Sequence, residues 1–168
     1  MLIINANDRW AEVISHVQCG GTSTIPAGRL LITSTLKSID GPYGVLGSAG
    51  PTAMYSCGIS YTGEMTFDLD DVSRIESGNY FEGVIQHEMG HVIGVGTLWN
   101  YNGCSTCRSS SKNALWSCDA TVAAYNDLLD EDDFAEPNII ELDGGSGTSC
   151  GHFDEGIFDD ELMTGWVH

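Results

Sequence analysis

The sequence predicts an α/β fold, and three observations carry that expectation. A helical stripe opens the chain at 5–17, strand-like runs follow at 29–39 and 64–70, and residues 79–93 form the clearest helix. In NANDRWAEVISHV (5–17), Trp10, Val13, Ile14 and Val17 fall at helical spacing, with Asn5 or Asn7 as N-cap. RLLITSTLKSI (29–39) is rich in β-branched residues and reads as a strand. DGPYG (40–44) is a turn cluster, and 45–63, rich in Gly, Ser and Pro, reads as irregular. EMTFDLD (64–70) alternates, placing Met65, Phe67 and Leu69 on one face. In NYFEGVIQHEMGHVI (79–93), Ser77 or Asn79 is the expected N-cap, and Gly94 sits where a left-handed C-cap belongs. Beyond Gly96 come a loop through CSTCRSSSKN, a short helix at 119–129, the acidic LDEDDFAEP and a strand-like NIIEL. The glycine loop DGGSGTSCGH and a tail without periodicity, FDEGIFDDELMTGWVH, complete the chain.

A length of 168 residues predicts a single domain, 1–168, with two lobes. Six basic residues against 24 acidic ones give a net charge of −18. That excludes a nucleic-acid binder, whose affinity comes from Lys and Arg, and argues against docking on anionic membranes. After Lys112 no Lys or Arg remains, while that stretch holds 14 acidic residues. No apolar run approaches a membrane span, and Met1-Leu2-Ile3-Ile4 is too short for a signal-peptide core. Six cysteines in a Gly-rich chain imply disulfides and an oxidising compartment. The expectation is a secreted or cell-surface protein whose leader has been removed.

The chemistry lies in His87-Glu88-Met89-Gly90-His91, an HExxH motif inside the best helix. Residues i and i+4 share a helix face, so both imidazoles can meet one ion while Glu88 reaches a water on it. Neutral imidazoles bind zinc and leave a coordination position open; zinc acidifies water, and a carboxylate can take that proton. A compact continuation, HExxHxxGxxH, would put a third histidine at 97, but that position is Thr97. Gly94 can still end the helix there, and the third ligand must come from farther on. Only His152 and His168 remain; His168 is terminal, so His152 is the expected ligand.

HEMGHVIGVGTLW (87–99), GGSGTSCGHF (144–153) and ELMTGW (161–166), in that order, closely resemble the leishmanolysin-like metzincins. DRWAEVI, IDGPYGVLGSAGP and GEMTFDLDD extend the resemblance over nearly the whole chain. It implies a twisted mixed sheet with the active-site helix in an upper lobe, about 1–94. A small irregular lower lobe, about 95–168, would carry the Met-turn, with the cleft between them. It implies a secreted zinc endopeptidase acting on protein or peptide substrates, with one catalytic zinc on His87, His91 and His152. Glu88 would be the general base and Met163 the Met-turn residue, a soft apolar floor under the metal. Substrate would lie extended, pairing with an edge strand formed by EMTFD. The family's domain continues past the Met-turn into a helix, and this sequence stops five residues after Met163. The expectation is a truncated or processed chain, or a separate chain or segment supplying that helix behind the active-site helix.

Other groups carry weaker signals. Cys104 and Cys107 form CxxC without the second pair of a zinc knuckle, so disulfides are expected instead. Keeping bridges within each half pairs Cys19 with Cys57 and leaves the other four among themselves, which would tether the His152 loop through Cys150. Calcium is a further candidate cofactor at Asp68, Asp70 and Asp71, or at Asp130, Glu131, Asp132 and Asp133. Neither set matches an EF-hand, and a solvated acidic face or helix cap is the preferred reading. Asp154 and Glu155 are either supports for the His152 loop or solvated turn residues, and His16 is structural or exposed. The alternative function is a non-catalytic extracellular structural or adhesion module on the same scaffold. A zinc hydrolase of a non-peptide amide is a third.

Overall fold

The computed structural model describes residues 2–19, 23–26, 30–108, 114–128 and 139–166. The chain divides into two compact units, Met1–Thr97 and Leu98–His168. The architecture is mixed α/β, and its elements, in chain order, begin with helix α1 (Leu2–Val13). Strands β1 (His16–Cys19), β2 (Ser23–Pro26), β3 (Leu31–Lys37), β4 (Gly47–Met54) and β5 (Ser60–Asp68) follow. Helices α2 (Leu69–Ser77) and α3 (Phe81–Ile93) complete the first unit, and α4 (Asp119–Leu128) and α5 (Glu155–Phe158) belong to the second.

In the first unit, β1 and β2 form an antiparallel pair, and the main sheet has the order β3-β5-β4. β5 runs parallel to β3 and antiparallel to β4, so the sheet is mixed. EMTFD therefore lies in the central strand and has no free edge, contrary to the expectation that it forms the edge. The edges are β3 and β4, and β4 occupies the stretch read as irregular. Its sequence, GSAGPTAM, lacks the alternation that marks a strand and takes its conformation from pairing with β5.

Met65 and Phe67 of β5 pack with Val84, Ile85, Met89 and Val92 of α3, with Ile75 of α2 and with Ala6 of α1. Each large apolar side chain buried there contributes about 1.5–3 kcal/mol. The helix lies close to the sheet because Gly63 has no side chain: a Cβ there would strike the Val92 side chain and stand 2.8 Å from the Gly50 carbonyl oxygen. The first helix ends at Val13, earlier than expected, and buries Ala6 with Leu2 and Trp10 at its sides. Val13, read as part of the apolar stripe, is 73% exposed. Trp10 Nε1–H donates to the Gln86 carbonyl at 2.9 Å, and α1 packs against α3.

α2 went unrecognised because it follows β5 without a turn. Asp68 ends the strand and caps the helix, its carboxylate accepting the Asp70 N–H at 2.9 Å. The other Asp68 oxygen accepts the N–H groups of Ile39 and Asp40, while Asp71 accepts that of Tyr43 and pairs with Arg74 at 2.8 Å. The first acidic group thus works as a helix cap and loop anchor. Asn79, one expected cap of α3, instead takes a positive φ of 62° between α2 and α3, and the N-cap is Tyr80 without a side-chain bond.

Among its described residues, the second unit holds little regular structure. α4 matches the expected helix at 119–129, whereas NIIEL contributes only an isolated bridge, Ile140 to Phe153. The tail forms α5 at Glu155–Phe158. Trp99, Trp116, Phe153, Phe158 and Tyr125 form a chain of ring contacts at centroid distances of 5.0–6.4 Å. The three disulfides are Cys19–Cys57, Cys104–Cys118 and Cys107–Cys150, as expected of bridges kept within each half. The two CxxC cysteines go to different partners. Asp130, Glu131, Asp132, Asp133 and His168 lie outside the described residues.

Candidate metal centre

His87, Glu88 and His91 lie on α3, where Val84, Ile85, Met89 and Val92 fix the helix rotation by packing on the core. The i and i+4 imidazoles meet as the spacing requires, with Nε2 of His91 3.0 Å from Nε2 of His87. A tetrahedral ion at about 2.0–2.1 Å from each ligand would hold two nitrogens roughly 3.3 Å apart. The His91 Nδ1 lies 2.9 Å from the Val95 carbonyl oxygen; if Nδ1 carries the proton it donates there, and Nε2 carries the lone pair.

That carbonyl is available because the helix ends at Gly94. Gly94 has φ 125°, and both its N–H and that of Val95 bond to the Gly90 carbonyl at 3.0 Å. Thr97, which stands where a compact motif would have histidine, donates its hydroxyl to the His91 carbonyl at 2.6 Å. It closes the helix end and is no metal ligand.

His152 is set by its own surroundings. Its Nδ1 lies 2.9 Å from the Thr148 carbonyl, the same arrangement as in His91. Glu141 flanks its segment: the Glu141 N–H donates to the His152 carbonyl at 2.9 Å, and the Cys150 N–H donates to the Glu141 carbonyl at 2.8 Å. The Cys107–Cys150 bridge anchors this loop two residues before His152. Burial lowers the His152 pKa, opposed by the Thr148 carbonyl and the Glu141 charge, so burial favours the neutral imidazole that metals bind.

Together, His87, His91 and His152 could hold a metal ion: each offers one ring nitrogen, and these lie within 4.8 Å of one another. They are the one such group of His, Cys, Asp and Glu among the described residues. The donor set fits a divalent metal that favours imidazole. Glu88 supplies a second test of that fit. It is buried, and its Oε2 has no hydrogen-bond partner among the described residues. Burial pushes its carboxyl up to about 8. An uncompensated buried acid of this kind is costly, and a water on a neighbouring cation would satisfy it.

Met163 is buried, and its carbonyl accepts the N–H of Phe153, the residue after His152, at 3.0 Å. The 161–164 turn is closed by Glu161, whose carboxylate accepts the Met163 N–H at 2.7 Å. His16 is exposed in β1, with Nδ1 3.0 Å from the Ser15 hydroxyl. Asp154 precedes α5, and burial, with the charges of Glu141 and Asp143, raises its pKa.

Sequence reasoning missed Val95, Thr148, Glu141 and Gly47. The first two act through backbone carbonyls, which leave no residue-type signature. Glu141 could have been noticed as an acid inside the apolar run NIIEL. Gly47 lay in a stretch read as irregular. No family model matches the chain, and no curated protein matches it. Within the described residues, no helix is long and apolar enough to cross a membrane. The three disulfides fit an extracellular protein.

Proposed function

We propose that this chain is a secreted zinc endopeptidase of the leishmanolysin-like metzincin kind, with His87, His91 and His152 as metal ligands and Glu88 as general base. The observation that carries the reading is the meeting of three histidine nitrogens, two of them on the helix that also carries Glu88, a buried carboxylate whose Oε2 has no partner among the described residues. Zinc, when bound, supplies the Lewis acidity that polarises a scissile carbonyl and acidifies a water.

The chain's own residues do the rest. The ionised Glu88 carboxylate can accept a proton from water at Oε2 and return it to the leaving amine. Val95 and Thr148 hold the Nδ1 atoms of two ligands, fixing their rings and tautomers. Met163 serves as the Met-turn residue, its backbone bonded to the ligand segment. An extended substrate pairs with the edge strand β4, whose first residue, Gly47, lies against Glu88.

The test is cleavage of an unfolded protein substrate by the purified chain, with and without chelator, beside a Glu88→Ala variant of equal metal content. Cleavage should vanish with chelator and fall by about 10²–10⁴ in the variant. Wild-type rates in the variant would sink the mechanism.

A further inference from the structure

Gly47 opens β4 and pairs with Phe67 of β5 across the sheet. It has no positive φ among the described backbone exceptions, so its lack of a side chain answers no conformational need. The need is spatial. A Cβ at this position would stand 2.6 Å from Oε1 of Glu88, 3.0 Å from its Cδ and 3.1 Å from its Cγ. Glu88 is only 4% exposed.

We infer that Gly47 is a positioning residue for Glu88: the missing side chain on β4 is the space that the general-base carboxylate occupies. The inference rests on the endopeptidase reading for its functional consequence, while the spatial part stands on the fold alone. A methyl group at 47 is compatible with a strand, and the three atoms nearest to it all belong to Glu88. It displaces the far end of one side chain. A base moved by about 1 Å can cost on the order of 10²-fold in rate, since proton transfer demands hydrogen-bond reach. A residue that merely kept β4 in register would act equally on substrate binding and turnover, because the same strand would carry the substrate.

The experiment is Gly47→Ala, read in three ways. The crystal structure of the metal-free variant should show the Glu88 carboxylate displaced with β4 in register. Its Zn²⁺ affinity should stay within about twofold of wild type, as no ligand moves. In peptide cleavage, kcat should fall by about 10²-fold with KM little changed. In a Glu88→Asp background, where the acid is one methylene shorter and the nearest contact, at 2.6 Å, is removed, the same change at 47 should cost less than it does in wild type. A carboxylate that keeps its place, or an unchanged kcat, overturns the inference, as does an equal loss in both backgrounds. If the wild-type chain cleaves nothing, the endopeptidase reading fails, and the carboxylate position alone decides whether Gly47 holds that space.

Discussion

Removing the Cys107–Cys150 bridge separates scaffold stability from metal binding. The bridge closes a separation of 43 residues, and Cys104–Cys118 closes one of 14. In the chain-entropy relation, closure restricts the unfolded chain by an amount that grows with the logarithm of loop length. The longer loop gives about 13 cal/mol/K and the shorter about 10, or roughly 4 and 3 kcal/mol at room temperature. By stability alone the two double Cys→Ala variants should differ by only about 1 kcal/mol. They differ more in what they hold. Cys150 has a φ of 67°, and its N–H bonds to the Glu141 carbonyl beside His152. Cys104 and Cys118 instead close the segment around Trp116. Urea unfolding should show comparable losses for both variants. Zn²⁺ titration should show a loss of about 10–100-fold for Cys107→Ala/Cys150→Ala, as when groups that orient a ligand are removed, and little change for the other pair. Equal zinc affinity in the two variants would refute the idea that this bridge holds the third ligand.

Two further outcomes follow from the geometry. Backbone N–H groups, that of Asp70 foremost, depress the Asp68 pKa below its ordinary value against the opposing effect of burial. Its stabilisation is therefore full above the unfolded-state value near 4 and is lost as pH falls through the lower folded value. Wild type should exceed Asp68→Asn in urea stability at neutral pH, and the gap should narrow as the pH falls below the unfolded-state value; a gap that widens on acidification would contradict this. Gly94→Ala, which forces a side chain into φ 125°, should cost about 1–3 kcal/mol in urea unfolding and also weaken zinc binding, because the Val95 carbonyl would lose its place beside His91. Unchanged stability would show that the helix end tolerates another path.

What was legible in the sequence follows the range of the interaction involved. The α3 helix and its two histidines could be read because periodicity and i, i+4 spacing are local. α2 also carried local signals, with Asp68 as cap, Asp70 and Asp71 in the first turn and Arg74 in the last. It was missed only because strand and helix share Asp68 without a turn between them. β4 was a different kind of failure. Gly, Ser and Pro gave no alternation, and only its partner β5 makes GSAGPTAM a strand. That same pairing turned EMTFD from an expected edge into the centre of the sheet.

His152 was reached by elimination and resemblance, since nothing in its immediate sequence marks a ligand. The structure shows how so distant a segment is held in place. Its segment is held by a disulfide, by Glu141 on both sides of the backbone, by Thr148 at the ring and by the turn of Met163 behind it. None of these is a helix or a long strand. In a unit with little regular structure, cross-links and short backbone bridges take the part that α3 plays for His87 and His91. The placement of His152 therefore depends on the oxidised state of the chain, while that of His87 and His91 depends on core packing. Reduction should loosen His152 and leave the α3 pair intact, so the reduced chain should keep a weaker two-histidine site rather than lose metal binding altogether.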